Sequence, residues 1–189
     1  MRWLLLAILA VTLAVPAYAQ FESIADLKLA KPEDKDDVKS TPAPSGALVL
    51  FDGTAKSLEN WSSKGDAKKA APWKLVDGGA MQVSGGDIIT KEKFGGTFKL
   101  HVEFRVPYMP KASGQGRGNS GVYLQGRYEV QVLDSYGLDS KDNDCGGIYT
   151  IAKPLVNACK APTVWQSYDI EFTAPVFDAD KKKTEMGIV

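Results

Sequence analysis

The stretch YEVQVLD, residues 128–134, sets Glu129, Gln131 and Asp134 among valines and a leucine. A carboxylate or amide in an apolar strand is costly unless it has a partner or a task. Two neighbouring stretches add to the set. TFKLHVEFR brings His101, Glu103 and Arg105, and NSGVYLQG brings Asn119 and Tyr123. Carboxylates and amides bond hydroxyl groups, and aromatic rings stack on the apolar faces of sugars. Together they are the ingredients of a carbohydrate site on a concave sheet face. His101, the only histidine, is the proton carrier by residue type, and equally a hydrogen-bonded filler on the sheet. Trp165, heading WQSYDI, is a candidate sugar platform, whereas Trp61 reads as core or rim.

Short alternating segments split by glycine, proline and aspartate must position these groups, and that pattern predicts an all-β sandwich. The predicted strands are ALVLF, WKLVD, AMQVS, DIITK, TFKLHVEFRVP, SGVYLQG, YEVQVLD, CGGIYTI and WQSYDIEFTAP, with DGG and SGG as tight reversals. In the clearest of them Phe98, Leu100, Val102, Phe104 and Val106 point one way, and Lys99, His101, Glu103 and Arg105 the other. Asn119, Gly121, Tyr123 and Gln125 form a similar polar and aromatic face on the next strand. Glu129 and Gln131 repeat the arrangement, but strict alternation sends Asp134 to the valine side. A one-residue bulge after Gln131 would bring it round, so that three successive strands share one polar face.

The chain's ends and composition bound the setting. Arg2, the apolar run WLLLAILAVTLAV and Ala17-Tyr18-Ala19 form a signal peptide over residues 1–19, too short to span a membrane and cleaved after Ala19. Residues 20–46, with KPEDKDDVKS and TPAPSG, hold too little apolar surface to repay ordering and read as a flexible leader. Residues 47–189 are one domain. The 23 basic and 23 acidic residues form no basic stripe, which argues against nucleic acid as a partner, and no second long apolar run argues for a membrane. In an exported chain Cys145 and Cys159 can form a disulfide, contributing roughly 3 kcal/mol by the chain-entropy argument; two free thiols are the alternative.

LFDG (50–53), LENW (58–61), GDIIT (86–90), EFR (103–105), GNSGVYLQGRYEVQVLDS (118–135), GGIYTIAKPLVNAC (146–159) and WQSYDI (165–170) together resemble the 3-keto-disaccharide hydrolase family. The resemblance runs from about Leu48 to Pro175 and implies a jelly-roll β-sandwich of the concanavalin A-like lectin and glucanase type. It also implies cleavage of glycosides already oxidised at carbon 3 of the sugar. Cleavage is then either direct hydrolysis or an elimination in which the ketone acidifies the C2 hydrogen, a carboxylate base removes it, an acid protonates the departing oxygen and water adds back. Glu129 and Asp134 are the expected base and acid, in either order, with Glu103 as a third candidate. Gln131, Asn119 and Arg105 are expected to hold the ketone and hydroxyls, with arginine stabilising enolate charge, and Tyr123, His101 and Trp165 to bind substrate. EVQVLD is also similar to the E-x-D-x-x-E signature of laminarinase-type glucanases, with Gln131 at the middle acid and Asp134 at the last. The resemblance implies a sugar 3-oxidoreductase acting upstream. No cofactor is defined; for a divalent metal the chain offers Asp139, Asp142 and Asp144, which lack the terminal glutamate of a calcium loop and read as an acidic surface loop. Past VFDADKKKT the family implies further strands, whereas the chain ends at EMGIV, so an incomplete sandwich is expected. The competing expectation is a lectin-type binding module that uses the same face without chemistry.

Overall fold

A computed structural model describes Ile24 and residues 27–189; the expected signal peptide lies outside them. Among the described residues no helix is long and apolar enough to cross a membrane. The secondary structure is nearly all β. Among the described residues one short α-helix, α1 (Ala55–Leu58), precedes β1 (Trp61–Ser63), β2 (Asp66–Ala70), β3 (Lys74–Val76), β4 (Ala80–Gln82) and β5 (Ile88–Thr90). There follow β6 (Thr97–Phe104), β7 (Ser120–Leu124), β8 (Tyr128–Val132), β9 (Gln166–Thr173), β10 (Val176–Phe177) and β11 (Lys183–Glu185).

Strand pairing is antiparallel throughout: β2-β1-β5 form one sheet, and β3-β4, β6-β9, β7-β8 and β10-β11 form pairs. The DGG reversal at 77–79 joins β3 to β4 as the sequence predicts. Gly53 is required where it stands, because a Cβ there would lie 2.8 Å from the Gly79 carbonyl oxygen, and its φ of 86° is in the left-handed region. The LFDG turn thus closes directly on the DGG turn. ALVLF is not a strand: Leu48 and Val49 are exposed, and the Leu50 carbonyl accepts from the Trp61 indole and the Asn60 amide instead of a ladder partner. CGGIYTI is mostly turn, held to β8 through the isolated bridge between Ile148 and Val130. β1 and β2, absent from the expected strands, lack a clear alternation of apolar residues in WSSKGDAKKA.

Alternation decides what the two central pairs bury. Phe98 and Leu100 of β6 face inward with Ile170 and Phe172 of β9, and meet Val122, Leu124, Tyr128 and Val130 of β7 and β8. Phe172 is 1% exposed, its ring 5.1 Å from that of Phe98 and 6.0 Å from that of Tyr128. Tyr168 crosses the same interior to donate its hydroxyl to the Gln131 carbonyl at 2.6 Å. The apolar faces of the β6-β9 and β7-β8 pairs therefore pack on each other, sheet on sheet.

Two expectations differ from the structure. Cys145 and Cys159 are free thiols, both buried, rather than a bridge. Each sulfur has a partner of its own: Tyr168 Oη lies 3.1 Å from Cys145 Sγ, and Cys159 Sγ donates to the Leu133 carbonyl at 3.6 Å. Residues 30–41, expected as a flexible leader, lie along the domain. Val38 N–H donates to the Trp165 carbonyl (2.9 Å), Trp165 N–H to Asp37 Oδ1 (2.8 Å), and the Tyr136 hydroxyl to Asp34 Oδ2 (2.7 Å). Polar composition conceals this docking because hydrogen bonds carry it, not apolar burial.

Candidate active site

β7 and β8 form a hairpin in unbroken register, with Tyr123 opposite Glu129 and Gly121 opposite Gln131. Those four positions belong to the face turned away from the core. Tyr123, 47% exposed, donates its hydroxyl to Glu129 Oε2 at 2.8 Å. Donating that bond to the carboxylate raises the Tyr123 phenol to about 12, so it remains protonated at neutral pH. The Glu129 carboxylate lies over Gly121, where any Cβ would overlap it. Glycine at 121 is what lets the acid lie flat against the sheet beside the ring. Gly121→Ala is expected to push the carboxylate off this position and lower turnover about 10- to 100-fold, with little change in melting temperature. Steady-state kinetics and thermal melts check this together.

Gln131 is buried below that surface in a cluster of amides. Its Nε2 donates to Gln115 Oε1 (2.9 Å), Asn119 Oδ1 (3.3 Å) and the Asn143 carbonyl (3.3 Å). Asn119 Nδ2 donates to the Gln115 carbonyl (2.9 Å), and Gln115 Nε2 to the Asn143 carbonyl (2.7 Å). Gln131 is 1% exposed, so in this structure it supports the face from beneath instead of meeting solvent. Gln115 escaped the sequence reading because GQG signals only a turn.

Asp134 does not join Glu129. The β7-β8 ladder ends at Ser120 opposite Val132, without a bulge after Gln131, and the chain then leaves the strand. Asp134 turns inward, with its side chain wholly buried, and accepts from Arg117 Nη2 at 2.7 Å. Asp134 therefore lies on the valine side, where strict alternation places it, and no bulge swings it round to Glu129.

The β6 set is likewise elsewhere. Because the two strand pairs meet through their apolar faces, His101 and Glu103 lie on the opposite outer face from Glu129. His101 Nδ1 lies 2.7 Å from Asp169 Oδ1 on β9, and its Nε2 lies 3.3 Å from Glu103 Oε1. Glu103 Oε1 also accepts the Thr41 N–H at 3.1 Å, fastening the 30–41 segment. Burial pushes the Glu103 carboxyl up, but hydrogen bonds from Ser40, His101 and Thr41 outweigh it and leave the group below the usual carboxylate range. Arg105 stacks 5.0 Å over the Trp165 ring, far along this same side, so neither accompanies Tyr123 and Glu129.

Asp169, with a smaller contribution from Glu103, holds His101 above its ordinary value of 6.5. A raised value means that the protonated ring's stabilising contribution is fully present below about pH 6.5 and is lost as pH rises through the folded-state value. Asp169→Asn is expected to lower the midpoint of the His101 ring proton in an NMR titration. An unchanged midpoint would contradict the assigned cause.

Among the described residues no group of three or more His, Cys, Asp or Glu side chains could hold a metal ion. In the acidic loop Asp144 Oδ2 accepts the Lys141 N–H at 2.9 Å, closing a turn. Two open surface hollows lie beside the Gln125-Gly126 turn and beside Leu48–Leu50, and neither includes Glu129. On the open β7-β8 face a proton-bearing phenol and a carboxylate meet.

The fold and its acid-bearing sheet face define a jelly-roll β-sandwich of the concanavalin A-like, glycosidase-like class. The chain belongs to the 3-keto-alpha-glucoside-1,2-lyase-like domain family, whose model matches residues 46–179. A crystal structure of a "putative glycosyl hydrolase" from Parabacteroides distasonis is similar to it with a TM-score of 0.69 and 38% identity, covering 83% of this chain and 72% of that one. No curated protein matches the chain.

Proposed function

We infer that this protein is an exported enzyme that cleaves glycosides already oxidised at C3, by elimination followed by hydration. The observation that carries the reading is the Tyr123-Glu129 hydrogen bond on an exposed sheet face, within a domain of 3-keto-glycoside lyase-like family. A carboxylate and a phenol in contact can take one proton and give another at the same place.

Glu129 removes the C2 hydrogen as a proton, and the C–H electron pair forms C2=C3 as the ketone oxygen becomes an enolate. Collapse of the enolate restores the ketone, forms C1=C2 and breaks the C1–O bond. Tyr123 protonates the departing glycosidic oxygen. Protonated Glu129 then returns its proton to the Tyr123 phenolate across the 2.8 Å contact, which resets both groups. Addition of water across C1=C2 yields the free 3-keto sugar. Asp134 has a structural role in this scheme, with Gln131 and Asn119 supporting the face from beneath. Glu103, His101, Arg105 and Trp165 take no part in the proton transfers. The substrate must come from an oxidoreductase that converts the sugar C3 hydroxyl to a ketone.

The test is incubation of the purified protein with 4-nitrophenyl 3-keto-α-glucoside, with and without added divalent cation. Nitrophenolate release accompanied by loss of the C2 hydrogen supports elimination. Release with the C2 hydrogen retained would replace it with direct hydrolysis. Sugar binding without release from a cooperatively folding protein would make the domain a lectin-type module.

A further inference from the structure

The elimination places negative charge on the ketone oxygen, and a site that accelerates it needs a cation or strong donor at that oxygen. Three arginines that could serve are occupied elsewhere. Arg105 stacks on Trp165 on the far side of the sandwich, Arg117 is locked to buried Asp134, and Arg127 lies over the Phe177 ring. Lys64 is placed differently. It sits in the turn between β1 and β2, and its Nζ lies 4.6 Å from the centre of the Tyr123 ring.

That position is built by two contacts to Asp87. Lys64 N–H donates to the Asp87 carbonyl at 3.0 Å, and Lys64 Nζ donates to Asp87 Oδ2 at 2.9 Å. An ammonium has three donors. One goes to Asp87 and the ring face of Tyr123 attracts the charge, while the side chain retains 46% exposure to solvent. The head group therefore remains open to a ligand oxygen above the same ring that bonds Glu129.

We propose that Lys64 is a catalytic residue that donates to the C3 carbonyl oxygen of the 3-keto sugar and stabilises the enolate, with Asp87 as its positioning residue. This rests on the elimination reading. The lysine loses no proton in the step: the C2 proton goes to Glu129, the electron pair goes to O3, and the ammonium meets the charge that forms there. It also gives the sheet face its preference for oxidised sugars, because a carbonyl oxygen is a pure acceptor at that point, whereas a C3 hydroxyl develops no charge.

The experiment compares the full chain with Lys64→Met, Lys64→Arg and Asp87→Asn on 4-nitrophenyl 3-keto-α-glucoside. It follows kcat, KM and wash-out of the C2 hydrogen into deuterated water by NMR, with thermal melts of every variant. Lys64→Met is expected to lower kcat and C2 exchange together by about 10²–10³-fold, with a much smaller change in KM and an unshifted melt. Lys64→Arg should recover at least a tenth of the lost rate, and Asp87→Asn should lower kcat by about tenfold. Lys64→Met with near wild-type C2 exchange, or a loss confined to KM, would overturn the proposal. If Lys64→Met does not fold, the Asp87→Asn kinetics decide it, with an unchanged kcat counting against Lys64. Wild-type protein that neither releases nitrophenolate nor exchanges C2 would refute the elimination reading itself.

Discussion

Glu129→Gln is expected to lower turnover of a 3-keto-α-glucoside by about 10²–10⁴-fold while the protein keeps its melting transition. The substitution is nearly isosteric, and a glutamine carbonyl can still accept the Tyr123 hydroxyl that Glu129 Oε2 accepts at 2.8 Å. Packing over Gly121 is also retained, so the fold loses little. An amide cannot take a proton from carbon near neutral pH, and C2 exchange should disappear together with release. Tyr123→Phe separates the two roles. Without the phenol, Glu129 can still exchange the C2 hydrogen, but the leaving oxygen lacks its proton donor, so release should fall more than exchange. Equal loss of both would assign Tyr123 to holding Glu129 rather than to acid catalysis. Full activity in Glu129→Gln would move the base elsewhere.

Asp134→Ala should act oppositely, through stability. The Asp134 side chain is wholly buried and its Oδ2 holds Arg117 at 2.7 Å, while Arg117 keeps 20% exposure. Removing one member of such a pair strands the other charge, a cost of about 3 kcal/mol here, at the low end for buried pairs because Arg117 reaches solvent. Melting should fall by roughly 10 °C for a domain of this size. Replacing both members with apolar residues, Asp134→Leu with Arg117→Met, should recover much of the loss, since the desolvation cost of both charges disappears. At a temperature where Asp134→Ala remains folded, its rate per folded molecule should stay close to wild type. A large loss of kcat without a shift in melting would return Asp134 to catalysis and contradict the structural role.

Much of the local structure was legible in the sequence, and the reason is the two-residue period of a strand. The β6, β7 and β8 segments separate their apolar and polar residues cleanly, so Tyr123 and Glu129 could be read as facing away from the core. Glycine and aspartate pairs marked the DGG reversal for the same kind of local reason. The period gives each strand two faces, but it carries no information about which strand lies beside it. β6 pairs with β9, more than sixty residues further on, and not with β7. The two pairs then stack through Phe98, Leu100, Phe172, Leu124 and Val130, which sends His101 and Glu103 to one exterior and Glu129 to the other. Asp134 illustrates the same limit at a strand end. It lies on the inward side that alternation gives it, and what the sequence did not show is the partner, Arg117, that lets a carboxylate be buried there. The amino-acid sequence by itself determined the all-β class, the family and the Tyr123-Glu129 face. Only tertiary packing decided which acids share that face, since long-range pairing and sheet stacking depend on contacts between residues far apart in the chain.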